Sequence, residues 1–338
     1  MSLVARCIAA VLALCAFTRA QAQDEVSVIC SEPLNWCEAT AGAFSRETGI
    51  GVRLTLKAPD AALAQVTFER AQPHHDVWFG GAYEGHRRAA ELGLTARYKS
   101  PLLPQLFDWA VRTAEHGDFH NVAIYASVAG FAYNHVALAK KHLAAPRCWS
   151  DLGRSEYAGG LLMSDPYALR AGYEAIVALV QMFGEARAFD LLKAIAANVA
   201  GYPHTRAGAV RGAARGEALI AITFLHDAVA EIADGFPITL VVPCEGAGYD
   251  MGAMSIIDGG PNTANAQKFY DWALTPSAQR IGAATRNFQT PSNRSTPTVP
   301  AAPPMSQIRL VPYDFARHGD AQERARLLTR WERDARSH

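Results

Sequence analysis

Cysteine is scarce here, with six in 338 residues, and none of the spacings fits a zinc site. Charge of one sign is missing too: 32 Lys+Arg are balanced by 32 Asp+Glu, which excludes the basic excess of a nucleic-acid or anionic-membrane binder. After the first twenty or so residues no apolar run approaches the ~20 residues that cross a bilayer. No G-x-S-x-G elbow and no H-E-x-x-H pair occurs, so hydrolase chemistry has no motif to rest on. No repeat and no sustained heptad pattern is present. An exported hydrolase stays open as the enzyme alternative only through a lone His-Asp dipeptide.

What is there begins with a leader. Arg6 supplies a positive start, Cys7–Phe17 an apolar core too short to span a membrane, and Ala20-Gln21-Ala22 a small-x-small cleavage pattern. Residues 1–22 are therefore expected to be a cleaved signal peptide, and the mature protein periplasmic. Leu14 before Cys15 argues against lipid attachment. Loss of Arg6 and Arg19 would leave the mature chain about two charges negative. Four cysteines survive, an even number that favours disulfides in an exported protein, with three possible connectivities. The expected bridge is Cys30–Cys37, because a chain reversal at Ser31–Asn35 brings them together; Cys148 and Cys244 are left free or joined to each other.

The rest alternates strand and helix. Glu25–Cys30, Gly51–Leu56, Asp76–Phe79, Gly160–Met163, Ala218–Phe224, Ile238–Val242 and Ala253–Ile257 read as strands, and His120–Tyr125 and Gly130–Asn134 as two more meeting near Ala126. Amphipathic or apolar helices fall at Trp36–Thr48, Ala61–Gln72, Leu169–Phe183, Ala186–Asn198 and Thr263–Leu274. Asn293–Pro304 is a loop, and Leu327, Leu328 and Trp331 mark the packed face of a C-terminal helix. This pattern is that of an α/β protein, long enough for two cores.

The stretch Ala218–Gly252 organises the candidate site. In open α/β sheets ligands gather at the carboxyl ends of strands, which here carry His226, Asp227 and, at the end of the next strand, Glu245. Ser31 and Glu32 follow the first strand, where a hydroxyl or a helix N-terminus can meet a ligand, although Ser31 would serve equally as a helix cap. Gly80-Gly81 permit close backbone approach, or make a plain tight turn. Arg170 and Arg206, the latter beside Thr205, lie near helix starts where the dipole disfavours a cation, so each is either solvated or balanced by a bound anion. His74-His75 sit on a loop and diverge; no metal site and no cofactor is expected. His226-Asp227 has a bland reading as well, a capped strand end.

The order DVWFGG (76–81), YNHVAL (133–138), CWSDLGRSEYAGGLLMSDP (148–166), ARGEALIAITFLHD (214–227), VVPCEGAGYDMGAMSIIDGG (241–260), NTANAQKFYDWALTPSAQ (262–279) and VPYDF (311–315) resembles the periplasmic solute-binding proteins of ABC importers. More narrowly it resembles the branch holding ferric-ion-, 2-aminoethylphosphonate- and hexose-phosphate-binding proteins. The resemblance implies a type II-like periplasmic binding protein fold: two α/β lobes, 24–120 with 244–285 and 121–243 with 286–338, hinge strands near Asn121–Ala126 and Thr239–Pro243, and a ligand cleft between lobes. It implies no bond chemistry, a monomer, and a permease as partner, with a sensor subunit reporting to a histidine kinase, or a ferric-ion-binding transport protein, as the alternative. Ferric-binding relatives carry a Tyr-Tyr pair where this chain has His226-Asp227, and a hard trivalent cation needs anionic oxygens. Leu225-His226-Asp227 and Glu245-Gly246 instead match the organophosphate branch, which implies a small organophosphate or phosphonate as solute. One departure stands out: after Asp165-Pro166 the hydroxyl donors usual in relatives are replaced by a stretch containing Arg170.

Overall fold

A computed structural model describes residues 25–312 and 314–336; the leader lies outside the described residues. In chain order the strands are β1 (Glu25–Cys30), β2 (Gly51–Leu56), β3 (Val77–Ala82), β4 (Val122–Asn134), β5 (Leu161–Met163), β6 (Val199–Gly201), β7 (Ile220–Phe224), β8 (Ile238–Val241), β9 (Tyr249–Ile256) and β10 (Thr290–Pro291). The chain divides into two compact units. Unit 1 holds the described residues up to Gly81, Gly85–Val122 and Ala253–Ile281; unit 2 holds Ala82–Glu84, Ala123–Gly252 and Gly282 onward.

In unit 1 the strand order is β2-β1-β3-β9, with β1 parallel to both β2 and β3. Ile29, Ala62, Val66, Trp78, Ala89, Leu94 and Ile257 form a core between the sheet and its helices. The Cys30–Cys37 disulfide is present, joining the end of β1 to the first turn of the helix Leu34–Thr48.

Unit 2 has the order β9-β4-β7-β5-β6, with β8 and β10 also paired to β4. β5 is parallel to β6 and β7, while β4 is antiparallel to β7, β8 and β10. Its core centres on Phe131, Trp149, Tyr157, Tyr173, Ile176, Ile220 and Ile222. Leu327 and Trp331 on the helix Ala321–Trp331 complete it, as their helical spacing requires. The second disulfide is Cys148–Cys244.

Three local expectations are corrected. The two strands expected around Ala126 are one, β4, because residues 125–126 pair with β10 and 129–133 with β7, so ladder bonds carry the chain through. Gly80 and Gly81 lie within β3, at φ +80° and +85°, and do not end it. His226 and Asp227 sit inside the helix Leu225–Ala233, which starts directly after β7.

The division also shifts the expected boundaries. The chain passes from unit 1 to unit 2 at Val122–Ala123 and returns at Gly252–Ala253, so residues 244–252 belong to unit 2, not to the first lobe, and Thr239–Pro243 is no crossing point. The reason is covalent and polar: Cys244 is bonded to Cys148, Glu245 accepts from the backbone of Trp149 and Ser150, and Ala247 bridges to Leu310. β8 is meanwhile held along β4 from Phe131 to Asn134.

Gly172, in the first turn of the helix Arg170–Phe183, is pressed against the Ser164–Pro166 backbone. A Cβ there would lie 2.0 Å from the Ser164 carbonyl oxygen and 2.9 Å from Pro166 N. Backbone on both sides cannot step aside, so Gly172→Ala is expected to destabilise by about 1–3 kcal/mol, the usual scale of overpacking. Urea unfolding followed by circular dichroism checks it; an unchanged midpoint would refute the packing argument.

Candidate functional site

In unit 2 the residues that converge are Arg206, His226 and Asp227, with Thr205 next to Arg206 in the chain. β7 feeds the helix Leu225–Ala233 without a linker, so its first turn presents His226 and Asp227 at the strand's carboxyl end. A carboxylate in a first turn is favoured by the helix dipole. Asp227 Oδ2 accepts from Thr223 Oγ1 at 3.3 Å. Its Oδ1 lies 3.5 Å from Arg206 Nε and 3.5 Å from His226 Nε2. The Arg206 side chain is half exposed and Asp227 is buried, so the guanidinium has one side on a carboxylate and the other in solvent.

His226 is buried and stacks on Phe224, ring centroids 5.4 Å apart. Burial drives its pKa down to about 4; Asp227 pulls upward and Arg206 pushes down further. At neutral pH the imidazole is therefore uncharged. Its Nδ1 is buried with no hydrogen-bond partner, a condition that costs about 1–3 kcal/mol unless something answers it. The ring borders a shallow recess whose other walls are mostly apolar, including Ala126, Val128, Leu225, Val229 and Phe288.

In unit 1, Ser31 Oγ accepts from Trp78 Nε1 at 2.9 Å, and Glu32 Oε1 accepts from Gly81 N at 3.0 Å. Ser31 is not a side-chain cap, since the helix Leu34–Thr48 has none. Ser31, Glu32, Gly80 and Gly81 thus form a second group.

Two expected residues have other partners. Both Glu245 oxygens are engaged, Oε2 by Trp149 N at 2.7 Å and Oε1 by Ser150 N at 3.0 Å. Glu245 is a helix cap. Arg170 is balanced by carboxylates of the chain itself, Glu84 at 2.8 Å, Glu174 at 3.0 Å and Asp250 at 3.1 Å. Three acids around one guanidinium repel an anion, so its expected anion contact is withdrawn. Only tertiary contact could show this, because Glu84 and Asp250 are 86 and 80 residues away.

For metal, a grouping of donors among the described residues is Cys148, Cys244 and Glu245, within 4.8 Å of one another. Its sulfurs are joined in the disulfide and its carboxylate caps Trp149 and Ser150, so the donor atoms are already used.

The fold is the mixed α/β, two-lobed fold of periplasmic binding proteins. Residues 83–319 match the family described as bacterial extracellular solute-binding protein, and the chain belongs to it. Proteins of this family are non-enzymatic transport components that pass small solutes to an ABC permease. The chain is 34% identical over 314 residues to an uncharacterized Haemophilus influenzae protein, covering 92% of this chain and 91% of that one. It is similar to the periplasmic binding protein AfuA from Actinobacillus pleuropneumoniae, solved with exogenous fructose-6-phosphate bound: 32% identity, TM-score 0.77, 93% of this chain and 99% of that chain covered. Iron-bound HitA from Pseudomonas aeruginosa shares the fold at TM-score 0.73 with 21% identity, covering 92% and 98% of the two chains.

Proposed function

We propose that this protein captures a small phosphorylated or phosphonylated organic molecule, one that also carries hydroxyls or an amine, and delivers it from the periplasm to an ABC permease. The observation that carries the reading is the uncharged His226, buried with Nδ1 unpartnered, beside the Arg206–Asp227 pair. Arg206 offers a phosphoryl oxygen a half-exposed guanidinium with several donors. Asp227 offers hydroxyl or ammonium groups an acceptor, and would repel a bare phosphate dianion. His226 supplies one hydrogen bond without charge. AfuA, with its bound sugar phosphate, supports the solute class. The protein acts as a monomer, as a single-site carrier needs no second copy.

Mass spectrometry of small molecules released on denaturation should find such a compound. With fructose 6-phosphate as the calorimetric probe, Arg206→Ala and Asp227→Ala should each weaken binding by about 1–3 kcal/mol, the cost of removing one partner from a desolvated charged contact. If neither substitution changed affinity for the released compound or for the probe, the assignment would be wrong and His226-Asp227 would be a structural cap.

A further inference from the structure

Within β3 of unit 1, the Gly80–Gly81 peptide offers an amide seat for an anion, and that seat already has an occupant. The peptide between the two glycines is fixed on both faces. The Gly80 carbonyl accepts from His86 Nε2 at 2.9 Å, and Gly81 N–H donates to the Glu32 carboxylate at 3.0 Å. In a trans peptide these groups point in opposite directions, so holding the carbonyl aims the N–H. His86 can hold it firmly: it is fully buried, stacked on Trp78 with centroids 4.0 Å apart, and its Nδ1 lies 2.8 Å from Ser255 Oγ. Burial keeps the ring neutral, with a pKa of about 4. Because a carbonyl only accepts, the single ring proton is assigned to Nε2, and Nδ1 accepts from Ser255.

The backbone is shaped around the carboxylate. Two consecutive residues at φ +80° and +85° call for glycine. A Cβ on Gly80 would lie 2.4 Å from Glu32 Cγ and 2.5 Å from its Oε1. Glycine at this position therefore leaves room for Glu32 as well as for the dihedral angle. An ordinary surface glutamate would need neither the aimed amide nor the cleared space.

We infer that Glu32 is a specificity residue: its carboxylate fills the Gly80–Gly81 seat and bars a solute oxyanion from unit 1. An incoming oxyanion would find its donor taken and a like charge beside it. The inference rests on the solute-binding reading for its purpose, while its geometry stands independently. In that reading the oxyanion partner is Arg206, and Glu32 denies unit 1 the same role.

The test uses the mature full chain and inorganic phosphate, followed by calorimetry and ³¹P line broadening. Glu32→Ala and Glu32→Ser are each made in the wild-type and in the Arg206→Ala background, with folding checked by circular dichroism. Because Glu32 is half-buried at the surface, truncation leaves no enclosed cavity. The expected result is at least a tenfold gain in phosphate affinity from either substitution in both backgrounds. Equal or weaker phosphate binding in the folded Glu32 variants would overturn the inference. If Arg206→Ala alone left phosphate binding unchanged, the role given to Arg206 would fail, and the Glu32 comparison within each background would still decide this point.

Discussion

Arg170→Ala is expected to cost about 3–5 kcal/mol of folding stability at pH 7, the scale found when one partner of a buried ion pair is removed. The Arg170 side chain is only 25% exposed, and Glu84, Glu174 and Asp250 surround it with side-chain exposures of 13%, 0% and 10%. Removing the cation leaves three acids at close range in a poorly solvated place. The pH dependence has a definite sign. Asp250 is raised above the ordinary carboxylate range, chiefly by burial, with Arg170 pulling it down and Glu84 pushing it up. A carboxyl whose folded pKa exceeds its unfolded value binds more protons when folded, so its contribution to stability grows as pH falls through that raised value. Without Arg170 the rise is larger. The deficit between variant and wild type should therefore shrink between pH 7 and pH 5. Paired urea titrations at the two pH values check this. A deficit below about 1 kcal/mol, or one that grows on acidification, would show that Arg170 does not neutralise the cluster.

Removing the two disulfides should have unequal effects. Cys148 and Cys244 are 96 residues apart, Cys30 and Cys37 seven. In the chain-entropy account a bridge stabilises by restricting the unfolded chain, by about 4.7 kcal/mol for the long loop and about 2.5 kcal/mol for the short one. The Cys148→Ser/Cys244→Ser double variant should thus lose roughly twice what Cys30→Ser/Cys37→Ser loses. The long bridge also holds the segment in which Glu245 caps Trp149 and Ser150, so its loss should expose Trp149 and change the near-ultraviolet spectrum. Urea unfolding of both double variants, with non-reducing peptide mapping of the wild type, provides the comparison. A larger loss from the short bridge would mean that native-state contacts, not loop length, set the order.

Residues near in sequence were the easiest to read. Cys30–Cys37 needed only a strand, a turn and a helix start, all local. Leu327, Leu328 and Trp331 announced a buried helical face through spacing alone, since a 3.6-residue period is written directly in the chain. Placing His226 and Asp227 at the end of an apolar strand was also legible, because strand length and the polarity change that follows are sequence properties. Ala126 looks like a break in the sequence for the complementary reason: strand continuity there depends on β10, whose residues are some 165 positions away.

The sequence by itself determined the α/β alternation, the strand that delivers His226 and Asp227, and the short disulfide, because periodicity, turn chemistry and short loops are local quantities. Only the tertiary structure decided the partners of charge. Arg170 and Arg206 look alike in the chain, each near a helix start after a strand-like segment. Folding surrounds the first with Glu84, Glu174 and Asp250 and leaves the second half exposed beside Asp227. Glu245 and Asp227 both follow strands, yet Glu245 caps Trp149 and Ser150 while Asp227 meets an arginine and a histidine. The physical reason is that an electrostatic contact depends on distance in space and on burial, and folding sets both by bringing in residues as distant in the chain as Glu84 and Asp250 are from Arg170.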